Sequence, residues 1–261
     1  MDGRLYTGLL KRWTKSVGLH SSLKSAYWGL EVPRHLHRLS TRESIVHDIN
    51  STPVEFPLET YWQYQRFRWM HPEIQMFEEL VDELQPGDVF YDVGAHLGWH
   101  AVVAASVDAE IEVVAFEPHP EIASQLSTVL ETTGHDATIE QVALYDSPGA
   151  VEFTASPEAG AHVAGARGDH PDETISVETV DGDSLVERGE IQPPDILKID
   201  AEGAEAEVLR GLEQTIESES PRIIYCEIHE VQRPVTRLLE EYGYEWSAFE
   251  SARPLLKAVP K

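Results

Sequence analysis

Two short segments gather ionisable side chains where apolar runs end: Leu197-Lys198-Ile199-Asp200-Ala201-Glu202-Gly203-Ala204-Glu205 and Cys226-Glu227-Ile228-His229-Glu230. Side chains alternate across a strand, so Lys198 and Asp200 share one face with Ile199 on the other, and Glu227 and His229 share a side. An unperturbed histidine titrates near neutrality, which suits His229 to remove a proton from a hydroxyl. Asp200, Glu202, Glu227 and His229 together offer carboxylate oxygens and an imidazole, a set that also suits a hard divalent ion. Spacing alone fixes no metal geometry, and no metal is assigned. Each group has a plainer use: Asp200 as a helix cap, Glu202 and Glu205 as charges favoured at a helix N-terminus, His229 as a cap or surface side chain. A lysine beside so many carboxylates at a strand end favours a site, and Lys198, Asp200, Glu202, Glu227 and His229 form the candidate catalytic set.

A second constellation lies earlier, in VFYDVGAHLGWHAVVAA from Val89 to Ala105. The apolar run ends in Asp92, breaks at Gly94 and restarts with helical character after Gly98. Glycines at such a crossover let the backbone approach a ligand, and the following helix N-terminus turns N–H groups toward it. The next apolar run, IEVVAFEP, ends in Glu117, about 20 residues on, where doubly wound folds place the carboxylate that accepts from ribose hydroxyls. A nucleotide-like ligand shared by two strands is expected. The turn Gly94-Ala95-His96-Leu97-Gly98 departs from G-x-G-x-x-G and lacks the glycines that pyrophosphate contact requires. Asp92 at the strand end is a poor neighbour for phosphate and a good one for a cation. S-adenosylmethionine, with a sulfonium, an amino group, a ribose and no phosphate, fits these residues better than NAD.

The elements that must position these groups are legible as periodicity. A helix from about Pro72 to Leu84 sets Ile74, Phe77, Leu80 and Val81 on one face and stops at Pro86-Gly87. From Asp88 onward DVFYDV, LGWHAVVAAS, IEVVAF, EIASQLSTVLETT and ATIEQVAL alternate strand with helix, which predicts a parallel sheet with right-handed crossovers. Between Gly149 and Val180 the runs VEFTA and TISVETV flank a loop from Pro157 to Pro171, predicting a hairpin over the sheet edge that contributes to the acceptor pocket. The rhythm resumes with DILKID, the helix AEVLRGLEQTIE, the strand RIIYCEIHE and the helix VTRLLEEYG; GYEWSAFE and PLLKAV read as two last strands. Ligands of open α/β sheets bind beyond the strand C-termini, so Asp200 and Glu202 are expected to face the same crevice as Gly94 and Glu117.

A chain of 261 residues suits one α/β domain plus an extension. Its 46 acidic residues against 20 basic ones give a net charge of −26, which repels nucleic-acid phosphates and argues against a polynucleotide substrate. The same excess suits a salt-rich cytoplasm, where self-repulsion is screened within about 3 Å at 1 M salt; an acidic mesophilic enzyme is the alternative. Residues 1–42 reverse the balance, with eight basic side chains against Asp2 and Glu31. Leu5, Leu9, Trp13 and Val17 recur there at helical spacing, as in a helix resting on a membrane surface; the plainer reading packs that helix on the catalytic domain or a second subunit. The single cysteine, Cys226, lies in an apolar run and reads as a small buried side chain in a reducing compartment. The chain shows neither a membrane-spanning run nor a signal-like start, and a cytoplasmic protein is expected.

The segments DVGAHLGWH, AFEPHP, QVALYD, LKIDAEGAE and YCEIHE, within roughly residues 72–230, resemble the FkbM-type S-adenosylmethionine-dependent methyltransferases, LKIDAEGAE being the most family-specific. The resemblance implies a class I methyltransferase (Rossmann-like) α/β sheet, mostly parallel with an antiparallel C-terminal strand pair, over residues 72–261, after an N-terminal extension at 1–71. It implies O-methylation, with a sugar, glycan or other small hydroxyl or carboxylate compound as acceptor. By the same likeness Asp92, Gly94, Ala95, His96, Gly98, Glu117 and Pro118 fall at donor-binding positions, with Ala143, Leu144 and Tyr145 near the adenine. His96 stands where asparagine is frequent, and Trp99 where tyrosine or phenylalanine is common. A glycan precursor at the cytoplasmic membrane face would give residues 1–42 a purpose. A lipid or natural-product O-methyltransferase and a non-catalytic donor-binding scaffold are the alternatives; base methylation is disfavoured because KIDAEG lacks the Asn/Asp-Pro-Pro-aromatic turn of that chemistry.

Overall fold

Strands covered on both faces need near-continuous apolar runs, and VFYDV, EVVAF, ILKI and IIYCE provide them. The structure is a computed structural model that describes residues 44–58, 74–154, 173–219, 221–229, 232–249 and 254–261. The basic segment 1–42, the aromatic run 61–69 and the loop 157–171 lie outside these residues. The chain divides into two compact units, residues 1–45 with 58–69 and residues 46–57 with 70–261, and the second carries the elements that matter here.

In chain order the described elements begin with a hairpin of β1 (Ser44–Ile49) and β2 (Thr52–Pro57), then α1 (Ile74–Glu83), β3 (Val89–Val93), α2 (Trp99–Val107), β4 (Glu112–Phe116) and α3 (Pro120–Thr133). Next come β5 (Thr138–Glu140), β6 (Ala143–Leu144), β7 (Gly149–Thr154), β8 (Thr174–Val180), α4 (Gly182–Glu187) and β9 (Ile196–Ile199). The chain closes with α5 (Glu205–Gly211), α6 (Glu213–Glu219), β10 (Ile223–Glu227), α7 (Gln232–Glu241), β11 (Tyr244–Phe249) and β12 (Leu255–Pro260).

The central seven-stranded sheet has the order β11-β12-β10-β9-β3-β4-β5. Its neighbours are parallel except β12, which runs against both β10 and β11. The expected mostly parallel sheet with an antiparallel C-terminal pair is therefore what forms. The order reverses between β3 and β9, with Asp92 opposite Lys198 and Val93 opposite Ile199. Such a switch point opens a crevice beyond the strand C-termini. Alternation sends Tyr91, Val93, Val114, Phe116, Leu197, Ile199, Ile224 and Cys226 into one core with Val208, Leu209, Ile216, Val235 and Leu239 of the α5, α6 and α7 helices. On the opposite face α2 packs against β3 and β4, and β2 against α2 and α3.

The apolar and periodic runs form the expected strands and helices, but tertiary context divides two of them. ATIEQVAL becomes β5 in the central sheet and β6 in a three-stranded sheet of order β6-β8-β7, where the expected β7–β8 hairpin also forms. AEVLRGLEQTIE becomes α5 and α6, because the Asp183 carboxylate of α4 accepts from Gln214 N and Thr215 N at 2.9 and 2.8 Å and so starts a new helix.

Leu126 of α3 is fully buried and lies beneath the turn at Gly98, where a Cβ would meet Leu126 Cδ1 at 2.1 Å. Leu126→Ala is expected to cost about 2–5 kcal/mol through the cavity it leaves. Val46→Ala, at a side chain that is 60% exposed, is expected to stay within about 0.5 kcal/mol. Urea unfolding of both variants checks the contrast.

Candidate active site

The carboxyl end of β3 is assembled around one buried ion pair. Lys198 Nζ donates to Asp92 Oδ1 at 2.8 Å, to Gly94 O at 3.1 Å and to Val93 O at 3.4 Å. Three acceptors match the three ammonium protons. The other Asp92 oxygen accepts from Ala101 N of α2 at 3.1 Å, so one carboxylate joins the lysine to the helix start. Burial works against the Lys198 charge, but the charges of Asp92 and Asp200 and the hydrogen bond to Asp92 outweigh it and push its pKa up. Both side chains are almost wholly enclosed.

The glycine turn follows directly. Gly94 has φ +73°, and a Cβ there would stand 2.0 Å from Asp200 O, so the ends of β3 and β9 meet only because no side chain intervenes. Gly94 N and Ala95 N both donate to Phe116 O at 3.0 Å, which folds the turn onto the end of β4. His96 has φ +52°, a left-handed conformation in which asparagine and histidine are enriched.

Glu117 follows β4 and is 4% exposed. Its two oxygens accept from His96 N and His119 N, each at 2.9 Å, so the carboxylate is held at the mouth of the glycine turn. Burial is the largest influence and raises its pKa; the two backbone N–H groups and Lys198 pull the other way, and the balance is a value of about 7. Pro118 is half-buried beside it, leading into α3. Ala143 and Leu144 of β6 point into different cores, Ala143 against Phe153 and Val177 of the small sheet and Leu144 into the main core. Tyr145 N donates to Val180 O at 2.9 Å, which ties the end of β6 to β8.

The second cluster forms where β9 and β10 end. His229 Nε2 lies 3.0 Å from Glu202 Oε2, 3.4 Å from Glu227 Oε1 and 3.8 Å from Asp200 Oδ1, while Nδ1 lies 2.9 Å from Glu205 Oε1. Burial alone would lower the imidazole pKa, but the hydrogen bonds to Glu205 and Glu227 and the charges of Asp200 and Glu205 overcome it and push the value up to about 9. The ring is an imidazolium at neutral pH. A charged ring has no lone pair with which to take up a proton, and Asp200, Glu202 and Glu227 are the carboxylates grouped around its Nε2. Ligand atoms of Asp200, Glu227 and His229 lie within 4.8 Å of one another, a spacing that a small cation would also fit; the imidazolium already places a positive charge there.

The structure thus brings Asp200, Glu202, Glu227 and His229 together and sets Lys198 beneath the adjoining glycine turn. Sequence reasoning kept Glu205 only as a helix-terminus charge. The available signal was its setting: a glutamate flanked by Ala204, Ala206 and Val208, apolar neighbours that predict a buried carboxylate and hence a partner.

The chain matches the family model described as Methyltransferase FkbM domain over residues 92–246. The hexuronic acid methyltransferase AglP of Haloferax volcanii is 29% identical over 204 residues, covering 77% of this chain and 81% of that protein. The 31-O-demethyl-FK506 methyltransferase FkbM of Streptomyces tacrolimicus is 30% identical over 197 residues, covering 62% of this chain and 74% of that protein. Among solved structures, a methyltransferase FkbM from Methylobacillus flagellatus KT is similar with a TM-score of 0.49 at 15% identity, covering 76% of this chain and 53% of that one. The family match takes in Asp92, the glycine turn, Glu117 and both ionisable clusters, and the chain belongs to the FkbM family of S-adenosylmethionine-dependent methyltransferases.

Proposed function

We propose that the enzyme methylates an oxygen of a sugar or glycan acceptor, with a hydroxyl as the reacting group. The observation that carries this reading is the gathering of Asp200, Glu202 and Glu227 about His229 beside the strand end that bears Gly94. S-adenosylmethionine supplies an electrophilic methyl group on a sulfonium. The acceptor oxygen forms its bond to that carbon as the carbon–sulfur bond breaks, the bonding pair stays on sulfur, and the hydroxyl proton passes to one of the three carboxylates. Most of the acceleration comes from holding the acceptor oxygen in line with the methyl carbon, and proton removal adds a smaller factor.

The donor residues of this reading are Asp92, Gly94, Ala95, His96, Gly98, Glu117 and Pro118, with Ala143, Leu144 and Tyr145 bordering the adenine. Glu117 accepts from the ribose hydroxyls through lone pairs that its backbone partners leave over. Asp92 acts through the turn and helix it holds, because its side chain is fully enclosed. Lys198 acts through Asp92 and the Gly94 carbonyl.

The relative named for hexuronic acid supports a sugar acid as acceptor. A second reading, methylation of the sugar carboxylate itself, is favoured by one feature: the His229 imidazolium is a ready counter-ion for an anionic acceptor. Among the described residues no helix is long and apolar enough to cross a membrane. The acidic composition supports work in a salt-rich cytoplasm; salt would screen the basic residues 1–42 there, so a contact of that segment with the inner membrane face beside a lipid-linked glycan would rest on its apolar side chains Leu5, Leu9, Trp13 and Val17.

Transfer of labelled methyl from S-adenosylmethionine to hexuronic-acid glycans and to their neutral counterparts, assayed across potassium chloride concentrations, tests the function. A methyl group stable to mild alkali marks a hydroxyl acceptor and an alkali-labile one marks a carboxylate; no transfer to any sugar acceptor at any salt would overturn the proposal. For a hydroxyl acceptor, comparison of Asp200→Asn, Glu202→Gln and Glu227→Gln identifies the proton-accepting group as the one whose loss lowers kcat by about 10²–10⁴-fold with the donor KM unchanged. Ribose hydroxyls favour ionised Glu117, whose pKa in the donor-free protein is about 7. Affinity for S-adenosylhomocysteine is therefore expected to rise as pH passes upward through 7, with proton release detectable by calorimetry in buffers of different ionisation enthalpy. Glu117→Gln is expected to weaken binding and remove that pH dependence.

A further inference from the structure

We propose that Glu205 is a positioning residue of the acceptor site, a buried carboxylate that fixes the His229 ring so that Nε2 faces Asp200, Glu202 and Glu227. The inference rests on the reading that those three carboxylates face the acceptor. Glu205 is 1% exposed and occupies the first position of α5, while a glutamate needed only to favour a helix N-terminus can stay in water. Its burial is costly unless the charge is matched. One oxygen, Oε1, accepts from Gly203 N and from His229 Nδ1, each at 2.9 Å.

The first bond fixes the turn after β9, where Glu202 and Gly203 both have positive φ, at +53° and +108°. The second fixes the ring that follows β10. A single carboxylate thereby sets the distance between the two strand ends that contribute acceptor-side groups. His229 follows the last residues of β10, and Ile228 N donates to Pro254 O at 2.7 Å, so the backbone there is anchored while the ring can still turn about its side-chain bonds. With Nδ1 held by Glu205, the opposite nitrogen can only face Glu202, Glu227 and Asp200, the groups that line it from the β9 turn and from β10. Without Glu205 the ring loses that constraint, and the 3.0 Å approach of Nε2 to Glu202, a glutamate in a left-handed conformation, is no longer fixed.

The test compares Glu205→Ala with Glu205→Gln, since glutamine keeps an oxygen at the same reach and can still accept from both N–H groups. Glu205→Ala is expected to lower kcat roughly 100-fold with the donor KM unchanged, the scale of a small misplacement of reacting groups, and Glu205→Gln to recover about tenfold of that loss. The accompanying readout is a downfield, slowly exchanging Nδ1–H resonance of His229 in 15N-labelled, donor-bound, acceptor-free enzyme, present in the wild type and Glu205→Gln and absent in Glu205→Ala. Equal kcat in the two variants, or a wild-type spectrum without that resonance, overturns the assignment; the wild-type spectrum decides even if Glu205→Ala does not fold. Absence of methyl transfer with the resonance present overturns the acceptor reading instead and leaves the Glu205–His229 contact standing.

Discussion

The structure depends most on the contact between Asp92 and Lys198 at the place where the strand order reverses. Removing both charges from water is expensive, and such a pair adds little net stability compared with apolar residues of the same volume. Its value is geometric. One ammonium gathers the Asp92 side chain and the carbonyls of Val93 and Gly94, and one carboxylate gathers that ammonium and the start of α2. The end of β3, the glycine turn, the helix behind it and the middle of β9 are thereby fixed to one another. A hydrophobic pair would fill the space without specifying the path of the turn.

From this centre the crevice divides into two electrostatic regions. On the β4 side, Glu117 is held by backbone N–H groups, and burial raises its pKa to about 7. On the β9 and β10 side, Asp200, Glu202, Glu205 and Glu227 surround one imidazolium. The first region suits hydroxyl donors, which relieve a poorly solvated carboxylate. In the second, the shared cation offsets the repulsion among carboxylates that hold one another close. The net charge of −26 is a different matter, since most acidic side chains among the described residues are exposed and screened by salt, whereas the enclosed cluster is shielded much less.

Much of this was legible in the sequence because parallel strands and crossover helices impose contrasting periodicities, and VFYDV, EVVAF, ILKI and IIYCE leave little room for another assignment. The crevice was legible for a related reason: strand C-termini in such folds converge, so ionisable residues at the ends of separate runs meet. Individual roles were harder to read. Nothing in the sequence shows that Lys198 shares its three protons among the Asp92 side chain and the carbonyls of Val93 and Gly94. His229 carries its ordinary pKa in sequence and acquires a raised one only when four carboxylates from three elements surround it. The β1–β2 hairpin and α4 escaped because each is only six residues per element, and the division of AEVLRGLEQTIE depends on Asp183, far away in sequence.

The carboxylate-rich side also constrains where catalysis can come from. A negative field stabilises a bound sulfonium before reaction, and the positive charge on sulfur disappears as the methyl group leaves, so that field by itself favours the ground state over the transition state. The carboxylates can lower the barrier only by accepting the acceptor proton as the new bond forms, or by fixing the acceptor in line. The imidazolium of His229 moderates the ground-state effect, because it offsets part of the negative charge that faces the crevice. Precise placement of these groups therefore matters more than their number. That is consistent with a site whose parts are held by buried contacts, Lys198 with Asp92 on one strand pair and Glu205 with His229 on the next.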